Sequence, residues 1–121
     1  MRFIERRDLA QSLAANFNGA AIHLERLHGY CIIMNVGGSP TGTIKLQASN
    51  NAFLNNTSSQ EDVAAVWVDI PGSNKALAGA ATQILFNAAD AFYNSLRVVY
   101  TFTSGTGSVD TYIYCKAVGG A

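Results

Sequence analysis

Residues 96–117, LRVVYTFTSGTGSVDTYIYCKA, contain the pattern that decides the fold class. In the first seven of them, Leu, Val, Tyr and Phe occupy every second position, which is the period of a β-strand with one buried face. The sequence SGTG at 104–107 is a turn signal, and strand-like alternation resumes over 108–117. The pattern predicts two strands joined as a hairpin.

The same signals recur outward from this stretch. Residues 30–36, YCIIMNV, are nearly all apolar and predict a central strand covered on both sides. Residues 43–49 alternate, with Ile, Leu and Ala on one face, and predict a half-buried strand. Further strands are predicted at 20–24, 65–70 and 82–87, with connections at 50–62, 74–81 and 88–95. About seven to eight strands predict an all-β fold, an antiparallel β-sandwich of jelly-roll-like type.

The first 18 residues follow a different pattern, and we expect them to form an N-terminal arm before a single β-sandwich domain over 19–121. Leu9, Leu13 and Phe17 recur at helical spacing, which favours a short helix. The turn signal Asn18-Gly19 favours an extended arm instead. The sequence leaves both alternatives open.

Composition indicates a subunit of an assembly. Only 13% of the 121 residues are charged, against about 25% in an average soluble domain. A surface with few charges is often covered by a partner. The net charge is zero, which argues against a nucleic-acid-binding role. The start of the chain has no apolar signal-peptide core, so we expect a protein made in and kept in the cytosol until assembly, without a membrane span.

Residues that could carry chemistry are few and scattered. His23 and His28 do not have the spacing of metal ligands. Cys31 and Cys115 lie in apolar strand-like runs, and we expect buried free thiols. The alternative is a disulfide, which requires that their strands be adjacent and in register. The glycine-rich segment 104–107 lacks the Lys and the helix of a phosphate-binding loop. We therefore expect no catalytic residue, cofactor or metal, and a protein that is not an enzyme.

Two surfaces are candidates for binding. If Val109, Thr111 and Ile113 face the core, Tyr112 and Tyr114 point outward, either as an interface patch or under the N-terminal arm. The candidate interface comprises Arg2, Phe3, Arg6, Arg7, Leu9, Leu13, Phe17, Tyr112 and Tyr114. A candidate ligand site combines a polar loop with an aromatic ring and a carboxylate, and its residues are Asn55, Asn56, Trp67 and Asp69.

Three segments resemble a group of small bacteriophage virion proteins. They are SPTGTIKLQASN at 39–50, after Gly29-Tyr30, then WVDIPGS at 67–73 and LRVVYTFTSGTGS at 96–108. The likeness extends over most of the chain, from Gly19 to Ala117. The N-terminal 18 residues and the Asn/Ser-rich loop at 50–62 depart from the family pattern.

The resemblance implies a β-sandwich that builds or decorates a particle, without catalytic residues. We expect a capsid decoration or vertex subunit located in the virion. Its expected partners are viral capsid or tail proteins and further copies of itself, with a trimer favoured. We expect it to bind neither nucleic acid nor a membrane. The alternative is a tail- or fibre-associated module that binds host glycans.

Overall fold

The computed structural model describes residues 3–24, 27–50 and 66–117. Within these ranges the chain is all-β, without a helix, so the predicted antiparallel β-sandwich is confirmed. In the described residues, therefore, no helix could cross a membrane. The described residues form ten strands, which are β1 (Phe3–Ser12), β2 (Phe17–Asn18), β3 (Ile22–His23), β4 (Gly29–Gly38), β5 (Thr41–Ser49), β6 (Val68–Asp69), β7 (Lys75–Ala78), β8 (Thr82–Ala88), β9 (Ser95–Ser104) and β10 (Gly107–Lys116).

The strands form two sheets in which every pairing is antiparallel. The four-stranded sheet has the order β1-β10-β4-β8, which places β1 and β8 at its edges. The six-stranded sheet is built on the central pair β9 and β5. The short strands β2 and β3 pair with β9 on one side, and β6 and β7 pair with β5 on the other.

Alternate residues of the long strands meet between the two sheets and form the core. Ile44 and Leu46 of β5 are almost fully buried, as the alternation at 43–49 predicts. Leu96 and Tyr100 of β9 pack from the same sheet. Burying each large apolar side chain contributes about 1.5–3 kcal/mol. The core residues contributed by the four-stranded sheet include Ile32, Met34, Val36, Ile84, Phe86, Val109, Ile113 and Cys115.

The N-terminal segment forms an edge strand, so the alternative of a short helix is wrong. β1 is paired with β10 from Phe3 opposite Lys116 to Ser12 opposite Ser108. The helical spacing of Leu9, Leu13 and Phe17 is therefore coincidental. Leu9 is exposed on β1, Leu13 lies in the core, and Phe17 belongs to the six-stranded sheet.

The predicted hairpin over 96–117 is also wrong, because β9 and β10 belong to different sheets. The chain crosses from one sheet to the other at Gly105-Thr106. The Thr106 oxygen there accepts a hydrogen bond from the Ser39 amide, at the crossing between β4 and β5. The Gly107 oxygen accepts another from the Leu13 amide, where the chain leaves β1. Glycine-rich turns serve such corners as well as hairpins, and local sequence does not separate the two.

Three other predictions change in detail. The connection 74–81 contains the strand β7. The strand predicted at 65–70 is reduced, within the described residues, to β6. The central position of 30–36 is confirmed, since β4 lies between β10 and β8, but its coverage on both sides is wrong for the single chain. Ile32 and Met34 face the core, whereas Ile33 on the outer face is 44% exposed.

The two cysteines are free and face opposite sides of the four-stranded sheet. Cys115 lies opposite Tyr30 and is buried in the core. Cys31 lies opposite Tyr114, on the outer face, and is half-buried. Because neighbouring strands place these side chains on different faces, no disulfide joins them.

Candidate interface on the four-stranded sheet

The outer face of the four-stranded sheet has a band of large apolar side chains. Strand register aligns Tyr112 of β10 with Ile33 of β4 and Leu85 of β8. Phe3 and Tyr114 lie beside this row, with ring centroids 5.9 Å apart and planes inclined by 22°. We call these five residues the apolar band. Their exposed fractions are Phe3 52%, Ile33 44%, Leu85 57%, Tyr112 38% and Tyr114 42%.

Polar residues surround the apolar band on the same face. In β1, Arg7 lies opposite Tyr112 and Glu5 lies opposite Tyr114. In the next row of outward-facing residues, nearer the connections between the two sheets, Asp110 of β10 lies opposite Asn35 of β4. A shallow groove of about 200 Å³ is lined by Glu5 and Arg7 of β1 together with Cys31, Ile33 and the two tyrosines. An apolar centre with a polar margin is the usual arrangement of a protein–protein interface.

The outward orientation of the two tyrosines was predicted from the sequence and is confirmed. Val109, Thr111 and Ile113 lie on the opposite face of β10 and are buried, each with at most 2% of its surface exposed. The N-terminal segment lies beside the tyrosines as β1 and leaves both of them partly exposed. Only Phe3 of β1 is stacked on one of them.

Sequence reasoning missed Ile33 and Leu85. Leu85 stands between two polar outward neighbours, Gln83 and Asn87, and Ile33 is followed two residues later by Asn35. That two-residue spacing was a usable signal. It was hidden in β4 by the unbroken run of apolar residues before Asn35.

Of the other predicted interface residues, Arg7 borders the apolar band, and the rest are dispersed. Arg7 and Leu9 are exposed, and Leu9 lies at a bulge of β1. Arg6 is half-buried, and its guanidinium donates hydrogen bonds to the Ala20 and Ala21 main-chain oxygens at 3.1 and 3.0 Å.

Two further members of the predicted set lie inside the sandwich, and one is outside the described residues. Leu13 has no exposed surface, so it presents nothing to a partner. Phe17 is half-buried against Tyr100, with ring centroids 5.6 Å apart. Arg2 lies outside the described residues.

A second cluster lies on the outer face of the six-stranded sheet. Arg97 lies over the Trp67 ring, 4.5 Å from its centroid. The Arg97 Nε and Nη2 atoms donate to the Gln47 Oε1 atom at 2.9 and 2.8 Å. Gln47 Nε2 in turn donates to Asp69 Oδ1 at 2.9 Å, and Lys45 Nζ donates to Asp69 Oδ2 at 2.9 Å. We call these five residues the tryptophan cluster.

The tryptophan cluster contains two cationic side chains, Lys45 and Arg97, and one carboxylate, Asp69, which forms an ion pair with Lys45. The hydrogen bond from Gln47 and then that from Lys45 lower the pKa of the Asp69 carboxyl from its ordinary value. Partial burial lowers the pKa of Arg97. The structure thus brings Trp67 and Asp69 together through Gln47 and Arg97. Asn55 and Asn56, the other predicted ligand-site residues, lie outside the described residues.

A cleft of about 500 Å³ lies beside β5 and β6. Ala48, Ser49 and Asn50 line it together with Val66, Val68 and Tyr93. The Tyr93 hydroxyl donates to the Tyr30 hydroxyl at 3.2 Å. Burial, and then this contact, raise the pKa of Tyr93 above its usual range.

The histidines have structural contacts. His23 Nδ1 lies 2.9 Å from the Ser95 hydroxyl oxygen, across the β3–β9 pair. His28 packs against the Phe92 ring at 4.9 Å between centroids. In the part of the chain that the structure describes, no three His, Cys, Asp or Glu residues are grouped so that they could hold a metal ion.

Comparison with known proteins finds similarity only at the level of structure. No family model and no curated protein matches the sequence. A crystal structure of the SPBc2 prophage-derived protein YomS is similar with a TM-score of 0.47 and 10% identity, over 94% of this chain and 96% of that one. A protein of the disulfide-linked pili of Bacillus endospore appendages is similar with a TM-score of 0.35 and 12% identity, over 96% and 86% of the chains. Values this low transfer no function.

Proposed function

We propose that this chain is a non-enzymatic structural subunit of a bacteriophage particle, a capsid decoration or vertex protein that binds shell proteins. The apolar band on the four-stranded sheet is the observation that carries the proposal. The sequence motifs at 39–50, 67–73 and 96–108, which resemble small virion proteins, give the proposed context.

The apolar band has the chemistry of a docking surface. Five large apolar side chains on one flat face are each 38% to 57% exposed. Large contiguous apolar patches are rare on monomeric soluble proteins, and a large patch that polar residues surround marks a binding surface. Tyrosines at the centre and an arginine at the margin, here Arg7, are residue types enriched at interfaces.

The low charge content supports the same proposal. Only 16 of the 121 residues are charged, eight of each sign, so the net charge does little to keep copies or partners apart. Several of the charged groups also pair within the chain, as Arg6 does with Asp8 and Lys45 with Asp69. A subunit that is covered in its assembly needs fewer solvating charges than a free monomer.

Counting copies of the chain in purified particles, together with its mass in solution, tests the proposal. We expect tens to hundreds of copies per particle and a self-associated protein. The mass also decides between the trimer expected from the sequence and any other number of subunits, such as a dimer. Absence from the particle would overturn the structural role.

A point variant tests the docking surface itself. Tyr112→Lys places a charge at the centre of the apolar band, and we expect at least about a tenfold loss of affinity for particles that lack the protein. Val68→Lys is the matched control, because Val68 is 62% exposed on the other sheet. Equal binding by the two variants would argue against docking through the four-stranded sheet.

The tryptophan cluster favours a second candidate, a host-glycan-binding module of a tail or fibre. An aromatic ring beside several hydrogen-bonding groups is suited to orient a polar ligand. Against this role, Arg97 covers one face of Trp67, and both Asp69 oxygens already accept hydrogen bonds. Loss of cell adsorption in a folded Trp67→Ala variant that still binds particles would favour the module. Unchanged adsorption and an empty glycan array would exclude it.

A further inference from the structure

We propose that β8 pairs antiparallel with β8 of a second copy of this chain, so that two four-stranded sheets become one continuous eight-stranded sheet. This inference rests on the structural role proposed above. It names the surface through which two copies associate, and it leaves the apolar band of each copy facing outward for shell proteins.

The free edge of β8 has none of the features that block strand pairing. Among the described residues, β8 pairs only with β4, over seven consecutive residues without a register shift. Its sequence, TQILFNA, contains neither a charge nor a proline. Isolated proteins commonly interrupt such an edge with charges, prolines or bulges, because an open row of amide and carbonyl groups recruits another strand.

The opposite edge of the same sheet shows such protection. β1 has Glu5, Arg6, Arg7 and Asp8 within its ten residues. A register shift between Asp8 and Gln11 interrupts its pairing with β10, and Ala10 there has a left-handed φ of 55°. The Asp110 carboxylate accepts a hydrogen bond from the Ala10 amide at 2.8 Å and so holds the bulge in place. The contrast indicates that β8 is left open for pairing.

The six-stranded sheet offers no comparable edge in the described residues. The strands flanking its central pair are β2, β3 and β6 with two residues each and β7 with four. Short edge strands are themselves a protection against edge pairing. β8 is thus the long edge strand without protection in the part of the chain that the structure describes.

The sequence of β8 is complementary to itself in antiparallel register. With a two-fold axis at Leu85, Gln83 lies opposite the partner's Asn87, and the two side-chain amides can exchange hydrogen bonds on the outer face. Ile84 lies opposite the partner's Phe86, and both residue types face the core in each copy. No like charges meet across the axis, because the strand has no charged residue.

The same register joins the apolar bands of the two copies. Leu85 is 57% exposed and ends the row that begins at Tyr112. Across the axis it contacts Leu85 of the partner subunit, and the row continues through both sheets. A seven-residue antiparallel pair also adds about six to eight main-chain hydrogen bonds. A second copy therefore completes the edge with both polar and apolar contacts.

Sedimentation equilibrium on the full chain tests the pairing. We expect the wild type to be a dimer and Leu85→Lys to raise the dissociation constant at least about tenfold, because two ammonium groups would meet at the axis. Leu9→Lys is the matched control, since Leu9 is 55% exposed at the opposite edge of the sheet. A dimer that Leu85→Lys leaves intact would overturn the proposal.

A cross-link provides a second readout that does not depend on weakening the dimer. In a Cys31→Ser background, Leu85→Cys places a thiol opposite its own copy across the axis, and mild oxidation is expected to give a covalent dimer. Leu9→Cys in the same background is expected to remain uncross-linked. Equal cross-linking of the two variants contradicts pairing through β8.

The outcomes separate this inference from the proposed function. A wild-type monomer or trimer overturns two-fold pairing through β8, because such pairing closes with two copies. Neither result affects shell docking, which the Tyr112→Lys variant tests on particles. Conversely, a β8-linked dimer that is absent from particles would leave the pairing correct and the structural role wrong.

Discussion

Tyr100 of β9 donates its phenolic hydroxyl to the main-chain oxygen of Leu13 at 2.9 Å, and both side chains are almost completely buried. The bond fixes the chain where it leaves β1 to a central strand of the other sheet. It thereby connects the N-terminal edge strand, which provides Phe3 and Arg7 to the candidate interface, to the core.

Removing this hydroxyl is expected to destabilise the fold. Tyr100→Phe leaves the buried Leu13 oxygen without its donor, at a cost of about 1–3 kcal/mol in the free energy of unfolding. Urea denaturation measures the change. Tyr112→Phe, in which the lost hydroxyl belongs to a partly exposed ring, is the control and is expected to change stability by less than about 0.5 kcal/mol. Equal losses in the two variants would contradict the role of the bond.

The corner between β9 and β10 is expected to tolerate no side chain at Gly105. A Cβ atom there would overlap the Ser39 main-chain oxygen of the adjacent crossing, and the φ of 82° is already unfavourable for other residues. Gly72 has a similar φ of 78° with open space around it. Gly72→Ala is therefore expected to cost about 1–2 kcal/mol, from backbone conformation alone.

Gly105→Ala is expected to cost at least about 2 kcal/mol more than Gly72→Ala, because the overlap is added to the same backbone strain. Thermal and urea denaturation of the two variants measure the difference. Similar stabilities would mean that the two crossings are less closely packed than the structure shows.

The pKa of Asp69 is expected to depend on Gln47. The hydrogen bond from Gln47 is the largest contribution to the lowered pKa of the carboxyl, ahead of that from Lys45. Gln47→Leu is expected to raise the pKa toward its ordinary value, which an NMR titration of the Asp69 side chain measures directly. Gln83→Leu, on the other sheet, provides the control. An unchanged Asp69 pKa in Gln47→Leu would contradict the network.

Alkaline pH is expected to weaken the fold through Cys115. Burial raises the pKa of its thiol from 9.0 to about 11, and the nearby Arg6 partly opposes this shift. As the pH rises, the unfolded chain therefore releases this proton before the folded chain does. The contribution of the protonated thiol to the free energy of unfolding is complete below pH 9 and is lost between about pH 9 and 11. Burial of Tyr93, whose pKa is also raised, acts in the same direction.

Urea midpoints measured from pH 7 to 11 test this dependence. Cys115→Val keeps an apolar side chain at the site and removes the thiol, so its stability is expected to fall less steeply than that of the wild type between pH 9 and 11. Parallel curves for the two proteins would exclude Cys115 as a source of the alkaline loss.

Much of the candidate site could be predicted from local pattern. The spacing in 108–117 gave the outward orientation of Tyr112 and Tyr114, because successive residues of a strand point to opposite faces, so that every second residue lies on the same face. The same two-residue spacing places Trp67 and Asp69 on one face. It gave no indication of Arg97 and Gln47, because strand register brings them there from β9 and β5.

The sequence by itself determined the strand periods over 43–49, 96–102 and 108–117, and with them the all-β class and the buried faces of β5, β9 and β10. Only the tertiary structure decided which strands pair, that 3–12 extend the sheet, and that β9 and β10 separate into two sheets. The physical reason is that alternation is a local property, encoded within a few residues. Pairing depends on backbone hydrogen bonds and core contacts between distant segments, such as Leu13 with Tyr100 or Ser39 with Thr106, whose residues carry no local sign of their partner.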